Sequence, residues 1–281
     1  MEILQQKALD LSAKDHRRIA AFVEKEAGIQ LPDHKRKLIE TRLRKRVRAT
    51  GKSSISDYLD FALSPAGEAE RVAMVDVITT NKTDFFREAG HFDFLVSYLS
   101  DRLEQHQHGA PLKVWSAACS SGEEPYTLAM VLQEIKASHA TFDYHIRATD
   151  ICTTVLAKAK AAVYPAQRIA PVSLPLRKKY LLRSRDSKLN LIKIGPDLRS
   201  KVLFEPFNLI TGDYPAPNSV DVIFCRNVMI YFSAQDRCRV VEQLSQTLKP
   251  GGLLFLGHSE SVGDKRGTLT VAGPTVYQRA R

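Results

Sequence analysis

The sequence predicts an α/β protein: a mostly parallel, doubly wound sheet behind a small, strongly basic all-helical region. Three observations predict it. Before residue 80 the apolar residues recur at helical spacing among many cations. From about residue 110, short apolar strands alternate with helical stretches. Between about 165 and 200 that alternation lapses into what look like short strands around a turn.

In chain order, residues 14–28 read as a helix closed by Gly28, with Ile19, Phe22, Val23 and Ala27 as its buried stripe. A second helix is expected after Pro32-Asp33, running to Gly51. Its Ile39, Leu43 and Val47 share one face, and Lys37, Arg44, Lys45 and Arg48 project from the opposite one. Nine Lys or Arg against the single acid Glu40 over 34–52 leave few partners for helical ion pairs, so this face is a candidate docking surface for something anionic. The competing reading is a solvated helix face. Further helices are expected at 54–63 and 66–79. The connector "TTNKTDFFRE" (79–88) has no Gly, Ser or Pro, unlike a flexible linker.

The strands follow. "LKVWSA" (112–117) leads through "ACSSGEEPY" into a helix, and "YHIRATD" (144–150) ends on Asp150 before another. "VDVIFCRN" (220–227) is a buried strand followed by the helix "AQDRCRVVEQLSQTL". "KPGG" then turns the chain into "LLFLGHSE", and "TLTVAGPTVYQRA" reads as an antiparallel hairpin about Gly-Pro.

Length and composition bound the function. A chain of 281 residues holds one large domain or two ordinary ones, and 44% hydrophobic with 26% charged residues is ordinary for a soluble protein. No apolar run reaches the ~18–20 residues of a membrane span. The opening "MEILQQKALDLSAKD" lacks the basic-then-apolar order of a secretory signal. The four cysteines are widely spaced, without a CxxC pair, which argues against structural zinc or disulfide scaffolding and suits a reducing cytosol; no metal is expected. The net charge of +10 suggests an anionic partner, whether nucleic acid, lipid or acidic protein surface.

Ligands of such sheets bind beyond the carboxyl ends of the strands. Those ends carry Ser120-Ser121-Gly122-Glu123-Glu124, Asp150 and Arg226-Asn227. A carboxylate at the second strand end suits ribose hydroxyls, although Asp150 also reads as a helix N-cap. The first loop has one Gly, not G-x-G-x-x-G, and no P-loop exists. Glu123-Glu124 at a helix start repels phosphate and tolerates a cation. S-adenosylmethionine, with adenosine, a sulfonium and an ammonium but no phosphate, fits best.

Together "TTNKTDFFRE", "VWSAACSSGEEPYTLAM", "ATDI", "FNL", "FCRNVMIYF" and "LKPGGLLFLGHSE" resemble the chemotaxis receptor methyltransferases, the CheR family. The resemblance runs from the helical region nearly to the C-terminus. It implies a helical N-terminal domain (1–78) and a Rossmann-like S-adenosylmethionine-dependent methyltransferase domain (79–281). The connector 79–90 would belong to the active site, and a small antiparallel β insertion would lie at about 170–200. It implies transfer of a methyl group to receptor glutamates, giving γ-glutamyl methyl esters and S-adenosylhomocysteine. By motif, Asn81, Thr83, Arg87, Glu124, Asp150, Asn208, Leu209, Asn227 and Val228 would contact the cofactor. Arg87 and Tyr231 match positions associated with catalysis. Lys37, Arg44, Lys45 and Arg48 would dock the receptor's methylation helices. The turn "RSRDSKLN" departs from the Gly-rich turn of members that capture a receptor C-terminal pentapeptide, which argues against that tether.

The resemblance also implies a cytoplasmic monomer that neither inserts in the membrane nor binds nucleic acid. Two other classes compete. Nucleic-acid amino-methyltransferases use an Asn/Asp-Pro-Pro-aromatic loop where this chain has "RNVMIYF", without either Pro. A non-catalytic S-adenosylmethionine-binding signalling protein would not need Arg87 and Tyr231.

Overall fold

A computed structural model describes residues 10–102, 110–263 and 268–280. The first nine residues, where the helical domain and the leader argument begin, lie outside the described residues.

Four helices form the N-terminal layer: α1 (Ala13–Ala27), α2 (Arg36–Ala49), α3 (Ile55–Ala62) and α4 (Glu68–Ile78). The Ser12 hydroxyl accepts from the Asp15 amide and starts α1; Ser54 does the same for α3 with Asp57. Gly28 ends α1 at φ 69°, and an added Cβ there would lie 2.6 Å from Ile210 of the other domain. Ile19, Val23 and Ala27 are buried as expected, with Ile39, Leu43 and Val47 of α2 facing them in one core. Phe22 only flanks that core. The second helix begins as a 3-10 turn (Asp33–Lys35) and stops at Ala49, two residues before Gly51.

After α5 (Gly90–Ser100) come β1 (Leu112–Ala117), α6 (Glu123–Ser138), β2 (Tyr144–Asp150), α7 (Thr153–Ala161), the short α9 (Pro196–Arg199), β6 (Val202–Pro206), β7 (Val220–Cys225), α10 (Ala234–Thr247) and β8 (Leu248–Leu256). The hairpin β9 (Leu269–Gly273) and β10 (Val276–Arg279) closes the chain. Strand order is β6-β2-β1-β7-β8-β10-β9, parallel through β8 and antiparallel at β10 and β9. Side chains alternate between two cores, as a sheet covered on both faces requires. Val114, Val222, Phe224 and Phe255 pack with α5 and α6; Trp115, Ile223, Cys225 and Leu254 pack with α10. The order reverses between β1 and β7, which opens a crevice at their carboxyl ends.

Two expectations are corrected. "KPGG" does not precede the strand but lies within β8, where the register with β7 shifts between Val220 and Val222. The β insertion begins earlier than 170, since β3 (Val163–Pro165) joins β4 (Leu181–Arg183) and β5 (Leu191–Ile194) in a separate antiparallel sheet. It also holds a helix, α8 (Leu174–Tyr180), within the stretch of about 165–200 expected to form short strands around a turn. Pro175 in its first turn is the local reason.

The helical layer is fastened across the crevice. Asp76 of α4 accepts the Thr153 and Thr154 amides at 3.0 and 2.9 Å, and both their hydroxyls, so one domain caps a helix of the other. The Asn208 side-chain amide donates to the Glu26 carbonyl at 2.6 Å, and the Gln30 backbone amide to the Tyr231 carbonyl at 2.8 Å.

Candidate active site

The crevice between the helical layer and the strand ends is one cleft of about 1230 Å³, counting its open mouth. Asn81, Thr83, Arg87, Glu124, Asp150, Asn208, Leu209, Asn227, Val228 and Tyr231 all line it, from five separate chain segments. Lys37, Arg44, Lys45 and Arg48 do not. Their helix instead contributes Leu38, Ile39 and Arg42, with Lys35 just before it.

The loop after β1 runs through positive φ at Ala118 (66°), Ser120 (50°) and Gly122 (96°). That strain turns the Ser120 amide onto the Asp150 carboxylate at 2.8 Å. The other Asp150 oxygen accepts from the Cys152 amide at 2.9 Å. Capping of α7 is therefore the work of Asp76, and Asp150 is left at the cleft wall. Burial pushes the Asp150 carboxyl above its usual range, against the pull of the Cys152 and Ser120 amides. Of the two acids that open α6, Glu123 turns away to Arg168 at 2.5 Å, and only Glu124 faces the cleft. Burial pushes the Glu124 carboxyl up as well, and the Arg226 guanidinium opposes it.

Arg226 is the centre of the floor. Its side chain is 1% exposed, with Nη2 on Glu88 at 2.8 Å and on the Arg87 carbonyl at 2.5 Å, and Nη1 on Glu124 at 3.2 Å. Burial alone would raise the Glu88 carboxyl, but hydrogen bonds from Arg226 and then Asn227 hold it down to about 2. Asn227, at φ 58°, donates its side-chain amide to Glu88 at 3.1 Å. Glu260 fixes the loop that follows, accepting the amides of Asn227, Met229 and Gly257 at 2.7 Å each and of Ile230 at 3.3 Å. A Cβ on Gly257 would stand 2.4 Å from the Asn227 side-chain amide, so the close approach needs glycine.

The connector forms the front wall. Phe85 is buried edge-on to Tyr164 at 5.1 Å, and the Phe86 amide donates to the Thr127 hydroxyl at 3.2 Å. Arg168, from the insertion, bonds Asp84 at 2.9 Å and the Thr83 carbonyl at 2.5 Å. The Asn81 side chain donates to the Thr79 hydroxyl at 3.1 Å, and the Asn81 backbone carbonyl accepts from the Ser120 hydroxyl at 3.0 Å. Arg87 donates to the Lys82 carbonyl at 2.9 Å and, among the described residues, pairs with no carboxylate. The Lys35 ammonium sits 5.3 Å over the Tyr231 ring.

On α2 the expected lack of partners is corrected. Buried Glu40 takes both Lys37 (3.0 Å) and Arg44 (2.9 Å), and Arg44 also reaches Asp10. Lys45 and Arg48 are exposed.

In the sequence Arg226 and Ser120 stand only as polar strand ends, and Glu88, Glu260, Lys35 and Arg42 carry no assigned role. The available signal was an acid or cation inside an otherwise apolar motif, as in "FFRE", "FCRN" and "GHSE".

The donor set fits a nucleoside carrying positive charge. Two carboxyls, buried Asp150 and largely buried Glu124, are both pushed up by desolvation and gain from hydroxyl or ammonium donors, whereas a helix start bearing Glu124 disfavours phosphate.

Residues 81–277 match the family model described as CheR methyltransferase, SAM binding domain, and residues 14–79 match CheR methyltransferase, all-alpha domain. The chain is 37% identical to a chemotaxis protein methyltransferase of Klebsiella aerogenes over 96% of this chain and 90% of that one. It is 37% identical to one of Escherichia coli (96% and 92%) and 35% identical to one of Borreliella burgdorferi (96% of each).

Proposed function

The chain belongs to the CheR methyltransferase family and uses S-adenosylmethionine, and from that premise we propose that it methylates glutamate side chains on the cytoplasmic helices of chemoreceptors. The observation that carries this reading is the placement of Arg87: a cation that pairs with no carboxylate among the described residues, in the wall of a cleft shared by the basic helical layer and the strand ends.

The bound cofactor supplies an electrophilic methyl group. A glutamate is already ionised at neutral pH, so no general base is required of the protein. What the chain provides is position. Arg87 orients the incoming carboxylate, its own backbone held by Arg226. Too tight an Arg-carboxylate pair would stabilise the ground state, so the contact guides rather than clamps. Tyr231 presents its ring from a short 3-10 turn with Lys35 above it. Glu124 and Asp150, with Asn81, Thr83, Asn208, Leu209, Asn227 and Val228, hold the cofactor. Lys45 and Arg48 lead the docking of acidic receptor helices, and Lys37 and Arg44 add charge through a face partly neutralised by Glu40.

In this reading the protein works in the cytoplasm as a monomer, with residues 1–78 as the docking domain and 79–281 as the catalytic one. Among the described residues no helix is long and apolar enough to cross a membrane.

The test is incubation with methyl-labelled S-adenosylmethionine and the cytoplasmic fragments of receptors from the same genome. Alkali-labile methyl esters, lost when the methylated glutamates are replaced by alanine, are the expected result. Label that resists alkali, or transfer to nucleic acid in place of receptor, would overturn the reading.

A further inference from the structure

We propose that Glu88, His91 and His258 form a binding site for a divalent transition-metal ion of the zinc class, directly beneath the cofactor cleft. The three come from the connector, α5 and the segment after β8, and each offers a ligand atom, all within 4.8 Å of one another. Glu88 Oε2 lies 3.6 Å from His91 Nδ1 and 3.9 Å from His258 Nε2. Donors around a four-coordinate zinc, at bond lengths near 2.0–2.2 Å, stand roughly 3.3 Å apart. The two Glu88 distances are therefore within a few tenths of an ångström of that spacing, and an inward turn of the His258 ring completes the set.

An independent observation points to the same place. His91 Nδ1 is buried and has no hydrogen-bond partner among the described residues, although its side chain is only 4% exposed. A buried nitrogen left unpaired is costly. The other ring nitrogen is held 2.9 Å from the Thr275 hydroxyl, which fixes the ring and, when Nε2 carries the proton, leaves the Nδ1 lone pair directed at Glu88. Glu88 is anchored by Arg226 and Asn227. His258, 60% exposed and edge-on to the His91 ring, is the member able to swing in. Two imidazoles and one carboxylate select zinc-like ions over magnesium or calcium, and three protein ligands leave a position for water.

The geometry also gives the site a consequence. Arg226 Nη2 lies 2.8 Å from the same Glu88 oxygen that faces the histidines. A bound cation competes with that guanidinium, which lowers the site's affinity and displaces Arg226 toward Glu124 in the cleft. Metal and cofactor are then coupled, each weakening the other to the same degree. The site does not depend on which acceptor is methylated.

Calorimetry of chelator-treated full-length protein with Zn²⁺, and visible absorption with Co²⁺, test the proposal. One ion per chain is expected, with Co²⁺ d–d bands and no thiolate charge-transfer band. His258→Ala should weaken binding by more than the ~10–100-fold that loss of an outer partner costs. Cys238→Ala, which removes the one exposed cysteine, and a His106→Ala/His108→Ala double variant should bind as wild type. Circular dichroism verifies the fold of His258→Ala, and His258→Gln replaces it if that fold is lost. Absence of stoichiometric binding, binding unchanged by loss of His258, or binding abolished in either control would overturn the assignment.

Discussion

The cationic helix α2 and the single arginine beneath the cleft use the same chemistry to opposite ends. On α2 the cations are many, visible in the sequence and mostly structural. Arg46 makes a two-pronged contact with Glu70 at 2.8 and 2.7 Å, and Arg42 caps the carbonyls at the end of α4. Lys37 and Arg44 share Glu40. In the floor one buried cation, Arg226, balances two acids and supports a third residue's backbone. Charge density in a sequence marks a surface; a solitary charge at an apolar strand end marks a site. Arg226 is committed, which leaves Arg87 available.

The largest expected effect tests that contrast. Arg226→Met leaves Glu88 and Glu124, each only 12% exposed, without their cation, and should cost about 3–5 kcal/mol of stability, read from the urea midpoint. A loss below about 1 kcal/mol would place Arg226 with the surface cations.

Glu260→Gln comes next. It sets an N–H against backbone amides that now share a carboxylate oxygen, and should cost on the order of 2 kcal/mol. Cofactor affinity should fall with it, because the Asn227–Tyr231 loop loosens. Unchanged affinity for S-adenosylhomocysteine would separate loop order from binding.

Acid sharpens the comparison. The Glu88 carboxyl is lower in the folded chain, at about 2, than in the unfolded one, near 4.5. Its stabilisation is complete above pH 4.5 and is lost as pH falls from there through 2. Urea midpoints measured across that window should show this component in wild type and not in Arg226→Met.

The smallest effect on stability belongs to Lys45→Glu/Arg48→Glu. These exposed residues pair with no carboxylate among the described residues, so stability should stay within about 0.5 kcal/mol. The receptor KM should rise several-fold while cofactor affinity holds. Equal losses in both would show a folding defect in place of a docking face.

Much of the fold was legible because strands buried on both faces read as apolar runs. "LKVWSA" and "YHIRATD" match β1 and β2 residue for residue. The insertion was legible only in outline. β3 has three residues, too few for a periodic signal, and the helix α8 follows from tertiary placement as much as from Pro175. In the site, residues inside recognisable motifs could be named, whereas their purpose could not. Asp150 reads as a cap until the structure shows that Asp76, 77 residues before Thr153, does the capping. Glu88 and Arg226 are 138 residues apart, and no local pattern encodes such a pair.

The central claim is that Arg87 guides the substrate while the committed ions around Arg226 hold the site in shape. Single-turnover methyl transfer to a receptor fragment by Arg87→Ala, alongside calorimetry with S-adenosylhomocysteine, tests it most directly. The expected result is a rate lowered by about 10²-fold or more, with cofactor affinity changed by no more than a few-fold. Full turnover with unchanged affinity would contradict the account.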